Sequence, residues 1–146
     1  MSYYDDALVR IKNFHSNLAD GEYKYCVALC CEAADRLLKE KLEALYPESI
    51  LLEGHEFLEM YSVIKNKYHG KTDLTRCLRM LRKYFNDSRY SGKNSMVNPN
   101  VYTKKFAEEM FASLMMVKDY IDDECSDGMQ GLADRFNRKK NEHTND

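Results

Sequence analysis

The stretch Cys26-Val27-Ala28-Leu29-Cys30-Cys31-Glu32-Ala33-Ala34-Asp35-Arg36-Leu37-Leu38-Lys39-Glu40-Lys41-Leu42 decides the fold. Cys26, Leu29, Cys30, Ala33 and Leu37 recur at helical spacing and continue through Leu38, Leu42 and Leu45, which predicts a helix over about residues 22–45. Its Ala and Cys positions are small enough to let a neighbouring helix approach closely. Tyr46-Pro47 ends it, because the residue before a proline is pushed out of the helical region.

Working outward, the same periodicity recurs almost everywhere. Tyr4, Ala7, Leu8, Ile11, Phe14, His15 and Leu18 predict an amphipathic helix over residues 3–19, closed by Asp20-Gly21. After Ile50-Leu51-Leu52 and Gly54-His55, a shorter helix carries Phe57, Leu58, Tyr61 and Ile64, and Lys67 to Lys71 reads as a loop. Thr72 is the expected cap of a basic helix over residues 72–90. Asn98-Pro99 is expected to open a helix over residues 99–124, with Val101, Phe106, Met110, Leu114, Val117 and Ile121 on its core face. No stretch reads as a strand. The expectation is an all-α, single-domain antiparallel bundle of about five helices over residues 1–126. A polar tail follows over 127–146, with a short helix at Leu132 to Phe136 at most.

With 44% hydrophobic and 32% charged residues, the 146-residue chain has the balance of a globular protein. No apolar run reaches the length of a membrane span, and Met1-Ser2-Tyr3-Tyr4-Asp5-Asp6 lacks the layout of a signal peptide, so a cytoplasmic protein without membrane partners is expected. Five cysteines (Cys26, Cys30, Cys31, Cys77, Cys125) read as small core residues rather than disulfides. Cys26 and Cys30 lack a second ligand pair, so no metal site is expected. No phosphate-cradling Gly loop, nucleophile turn or di-iron pattern is present. The eight Met residues, including Met115-Met116, suit an adaptable packing or interaction face.

The net charge of −2 is unevenly spread: residues 1–64 carry −6, residues 65–93 carry +7 and residues 94–146 carry −3. Such a basic block attracts a polyanion, or pairs with acidic helices of its own fold or of a partner. Within it, Leu74, Cys77, Leu78, Leu81, Tyr84 and Phe85 share one helical face, and Arg76, Arg79, Arg82 and Lys83 crowd the rest. The helix ends on Arg89-Tyr90, just before Ser91-Gly92 and Lys93. A guanidinium fork beside a flat phenol suits phosphate or base recognition, although a solvated basic face with a buried Tyr is the commoner use. His55, after Gly54 at a helix start, reads as a cap, a buried hydrogen bond or a phosphate ligand. Glu32, Asp35 and Lys39 fall at i, i+3 and i+7 on one stripe and form a supporting polar cluster, structural if buried with Arg89 and a site if open.

The order of these signals resembles the HEPN family, small helical bundles named for higher eukaryotes and prokaryotes nucleotide binding. Ala28 to Lys39 is similar to the family's small-residue helix, with an acidic residue four before a lysine. Gly54-His55-Glu56-Phe57-Leu58 is similar to its His-acid-Leu start of the third helix, and Tyr84 to Tyr90 to its Arg-Tyr element, where this chain has Ser91 in place of the usual Pro. The resemblance covers about residues 3–124. It implies either a dimeric, metal-independent ribonuclease with an Arg-x4–6-His motif, or a non-catalytic domain that accompanies a minimal nucleotidyltransferase.

The chain departs from the ribonuclease pattern. After Arg89 no histidine follows at the required spacing, and the formal matches Arg10-x4-His15 and Arg138-x4-His143 lie in the first helix and in the tail. The sequence therefore points to a HEPN-like module without catalytic residues or a cofactor of its own. Its expected role is to bind a nucleotide or RNA phosphate through Arg89, Tyr90, Lys93, His55 and Arg82, or a nucleotidyltransferase partner, with a homodimer as the resemblance implies. The alternatives are a divergent RNA-cleaving toxin that uses Arg89 with a nonstandard base, and a structural module whose basic helix pairs with an acidic partner face.

Overall fold

The computed structural model describes residues 1–89 and 99–125. Among them run five α-helices and no strand: α1 (Tyr3–Ala19), α2 (Tyr23–Leu45), α3 (Phe57–Tyr68), α4 (Thr75–Asp87) and α5 (Lys104–Asp119). The protein is an all-α helical bundle, as its periodicity predicts. None of these helices is long and apolar enough to cross a membrane.

The bundle is assembled around α2, which packs against α1, α3, α4 and α5. The sequence marks one apolar face on this helix, but Val27, Ala28, Cys31 and Ala34, outside that face, are buried as well. Four neighbours leave α2 no solvent side over most of its length, and small side chains let all four come close. Each fully buried Leu or Phe adds about 1.5–3 kcal/mol of favourable transfer.

The register of α1 on α2 is fixed by polar pairs laid out in antiparallel order. The Tyr4 N–H donates to Glu40 Oε2 (3.2 Å), Arg36 Nε meets Asp6 Oδ2 (2.9 Å), Arg10 pairs with Glu32, and the Cys26 thiol points at the Phe14 carbonyl (3.6 Å). Stacking of Phe14 on Phe111 (4.4 Å) and the Tyr4 hydroxyl donating to Asp122 (2.9 Å) then hold α5 antiparallel to α1. Tyr84 against Phe106 (4.9 Å) and Tyr102 donating to Asp87 bring the start of α5 back along the end of α4. Burial and the Asp87 carboxylate push the Tyr102 phenol up, so it stays protonated as the donor.

Several helix ends differ from the sequence reading. Thr72 does not cap the basic helix: α4 starts at Thr75, whose N–H and hydroxyl both reach the Asp73 carboxylate (3.0 and 2.6 Å). Thr72 instead donates its own N–H to Glu124 Oε1 at 2.8 Å. Asn98 lies outside the described residues, and Pro99–Val101 is a separate 3-10 turn. The cap of α5 is Thr103, which accepts from the Phe106 N–H at 3.1 Å. A Ser/Thr oxygen two or three residues ahead of free amides is the commoner capping geometry, and here it outcompetes the proline signal. Helix α3 runs on to Tyr68 and closes on His69 in the left-handed region. Leu58 and His15, expected on core faces, are exposed.

Beyond α5 the helix widens into a π turn, Tyr120–Glu124, closed by Cys125 N–H on the Tyr120 carbonyl (3.1 Å). The extra residue per turn lets the consecutive Tyr120 and Ile121 both point inward. It also aims Glu124 at the α3–α4 loop. A Cβ at Gly70 in that loop would stand 2.6 Å from a Tyr120 ring carbon, so only glycine fits there.

Candidate functional site

Three elements bring polar side chains to one place: the middle of α2, the segment entering α3 and the C-terminal half of α4. Asp35 on α2 is fully buried. Lys39, one turn on, reaches its Oδ2 at 3.0 Å, and the Arg36 guanidinium reaches the same oxygen. The other oxygen, Oδ1, stands 2.9 Å from His55 Nδ1. His55 is positioned by the 3-10 turn Ile50–Glu53, which Ser49 caps by accepting the Leu51 N–H, and by Gly54. Its backbone carbonyl accepts the Phe57 N–H at 3.1 Å, but its imidazole caps no donor of α3; of the roles open to that side chain in the sequence, the hydrogen bond to a buried partner is the one observed.

With a neutral imidazole, Nδ1–H donates to Asp35 and leaves Nε2 as an acceptor. The His55 side chain keeps 36% exposure, so one edge of the ring reaches solvent. Its face lies on the Phe85 ring at 4.4 Å, and Phe57 closes that ring edge-on at 5.7 Å. Arg82 and Phe85 fall at i and i+3 on α4, and Arg89 follows in the turn two residues past its end, where its N–H reaches the Asn86 carbonyl at 3.1 Å. The Arg89 and Arg82 guanidinium carbons stand 4.9 and 5.5 Å from the same Phe85 centroid. Phe85 is thus a platform that gathers an imidazole and two guanidiniums.

Charge is distributed unequally across this cluster. Arg10, Arg36 and Lys39 are matched by Asp6, Glu32 and Asp35. Burial alone would weaken Arg36's hold on its proton, but Asp6 and Asp35 more than offset that and raise it. Arg82 and Arg89 make no ion pair with a described residue, so two positive charges stand at the Phe85 ring on which His55 also lies.

Of the residues singled out from the sequence, His55, Arg82 and Arg89 meet at Phe85, and Asp35 with Lys39 lies behind His55. Glu32 belongs to the α1–α2 pairing through Arg10 instead. No ion pair joins Arg89 to the buried carboxylate: Arg89 is exposed and stands on Phe85, whereas Asp35 is held by Arg36, Lys39 and His55. Tyr90 and Lys93 lie outside the described residues. Phe85 was legible only as core, and Asp6, Arg10 and Arg36 were missed. The i, i+4 acid–base spacing of Asp6 and Arg10 on α1 is the signal that could have found them.

The cysteines offer no alternative chemistry. All five are free and buried. Burial pushes Cys26 and Cys77 up to about 11 and Cys125 up to about 12, and drives Cys30 and Cys31 further still, so none is a thiolate near neutrality. Among the described residues, no three His, Cys, Asp or Glu side chains converge in a way that could hold a metal ion.

Comparison of the chain with protein-family models, with curated proteins and with solved structures finds no match.

Proposed function

We propose that this protein is a HEPN-like binding module that takes a nucleotide or RNA phosphate at the open edge of His55. Arg82 and Arg89 supply the charge, and Phe85 holds the three side chains in register. One observation carries this reading: two guanidiniums without an ion pair among the described residues, and a partly exposed imidazole, share a single aromatic platform. Arg89 gives the bidentate contact, and the imidazolium form of His55, donating from Nε2–H, completes the set. A minimal nucleotidyltransferase beside this surface, and a homodimer, extend the same reading.

The test is equilibrium binding of a labelled mixed-sequence RNA and of a nucleoside triphosphate at low and physiological salt. Arg89→Ala should weaken binding by about 1–3 kcal/mol, and affinity should fall as salt rises. Equal affinity of Arg89→Ala and wild type removes the site from this edge.

A second reading is favoured by the Asp35–His55 hydrogen bond. A buried carboxylate that fixes an imidazole tautomer leaves Nε2 oriented as a general base beside two guanidiniums. That is the nonstandard base a divergent ribonuclease would need: Nε2 takes the proton of a ribose 2′-hydroxyl, whose oxygen attacks the neighbouring phosphorus. The 5′-oxygen leaves with a proton from water. RNA cleavage abolished in both His55→Ala and Arg89→Ala would make the protein a ribonuclease, and intact RNA after long incubation would leave binding alone.

A further inference from the structure

The opposite edge of α4 carries a different surface. Arg76, Met80 and Lys83 fall at i, i+4 and i+7 and so share an edge turned away from Arg82, Phe85 and Arg89. Between this edge and α5 runs a groove of about 460 Å³, with Cys77 and Met110 in its floor, Phe106 at one end and Met116 along its far side. Met80 and Met116 are 41% and 46% exposed. A second depression of about 530 Å³, lined by Asp73, Thr75, Arg76, Arg79, Met80 and Lys83, continues it over the outer face of α4, and Asp73 lines the groove as well. Arg76, Arg79 and Lys83 make no ion pair with a described residue, whereas Arg10 of α1 and Arg36 and Lys39 of α2 are matched by carboxylates. Glu109 is the acidic residue on the α5 side.

The geometry points to this groove as the docking site of one amphipathic helix from a partner protein, with an apolar stripe seated on the methionines and acidic residues along its α4-facing flank. The charge pattern selects the occupant. Three cations against the one carboxylate of Asp73 on the α4 side ask for carboxylates opposite them, and two exposed thioether side chains beside a buried apolar floor ask for an apolar stripe. A nucleic-acid backbone would use the cations and leave Met80 and Met116 uncovered. An apolar face at i, i+3, i+4 and i+7 fills a groove between two helices in the way that helix-in-groove partners do. Unbranched methionines adapt to such a stripe without demanding one exact side-chain shape.

The test uses a fluorescein-labelled synthetic helix of about 16 residues, long enough to be partly helical alone, with a Leu stripe flanked by Glu. A control peptide carries Lys at the flanking positions. Fluorescence anisotropy should show saturable binding of the Glu peptide to the full chain, with the Lys peptide about tenfold weaker. Met80→Gln and Met116→Gln should each weaken the Glu peptide, and Arg89→Ala should leave it unchanged. The Arg76→Glu/Lys83→Glu protein should reverse the preference and bind the Lys peptide more tightly. Both substitutions are at exposed positions, so circular dichroism of each variant should match wild type. The inference is overturned if neither peptide binds, or if both bind equally. It is also overturned if RNA displaces the Glu peptide from wild type and Met80→Gln alike. Sedimentation showing a dimer that Met80→Gln dissociates would overturn it too, because a second copy would then cover the groove.

Discussion

Asp35 is the residue on which the site's geometry depends. Its two oxygens hold Lys39, Arg36 and His55, and no part of it reaches solvent. A buried carboxylate is costly to desolvate and is retained only with its partners in place. Removing it leaves the nearly buried Lys39 ammonium without a counter-charge, and releases His55 from its tautomer. Asp35→Ala should therefore lower stability by about 3–5 kcal/mol, read as a drop in the urea midpoint at unchanged slope. Asp35→Asn keeps the shape but loses the charge, so its midpoint should fall between those of Asp35→Ala and wild type. An Asp35→Ala protein as stable as wild type would mean that the cluster is solvated and does not order His55. At this scale the sequence was partly legible. The stripe of Glu32, Asp35 and Lys39 is visible in the spacing, but the sequence does not reveal that His55, twenty residues on, hydrogen-bonds to its middle member. That contact depends on the path of the 3-10 turn, which local pattern does not encode.

At the scale of elements, existence and order were legible, as were the ends of α1 and α2, but the ends of the later helices were not. The five helices follow from apolar periodicity because each must bury a stripe against α2 or a neighbour, and that requirement is written in composition. Helix ends depend on which of several nearby oxygens reaches a free amide first. Asp73 rather than Thr72, and Thr103 rather than Asn98, are outcomes of geometry between elements. Thr72 belongs to the loop before the helix, where its N–H is engaged by Glu124 across 52 residues of sequence and its carbonyl accepts from the Tyr61 hydroxyl. Burial alone would raise the Glu124 carboxyl, but the hydrogen bond from Thr72, with help from Lys71, more than offsets it and holds the group below its ordinary value. A carboxyl whose folded value lies below its unfolded value binds more protons when unfolded. Its stabilisation is present above the unfolded value of about 4.5 and is lost as pH falls through the folded one. Glu124→Gln should therefore lower the melting temperature near neutrality. The gap to wild type should close as pH falls below about 4. A gap that is independent of pH would show that the loop is held by shape at Gly70 and Tyr120 and not by this charge.

At the scale of the whole molecule, the cysteines report how cooperative the bundle is. Cys26, Cys30 and Cys31 lie in α2, Cys77 in α4 and Cys125 just after the π turn, so together they sample the centre and both of its later flanks. A helix packed by four neighbours cannot expose its own thiols without losing contacts to all of them, which ties local opening of α2 to global unfolding. Cys77 is the exception, since it lies in the floor of the α4–α5 groove and keeps 7% exposure, against 0% for Cys26, Cys30 and Cys31 and 3% for Cys125. Thiol labelling of the native protein at neutral pH should therefore be slow at every site, because only the thiolate reacts and burial has raised all five. Cys77 should react first and in a step insensitive to low urea, as groove breathing requires little exposure of surface. The other four should react together, at a rate that tracks the global unfolding equilibrium across the urea transition. If Cys125 instead joins Cys77 in the early step, the π turn opens independently of α2. The Glu124–Thr72 hydrogen bond would then be the latch that closes it, and Glu124→Gln should speed labelling of Cys125 while leaving Cys30 and Cys31 protected.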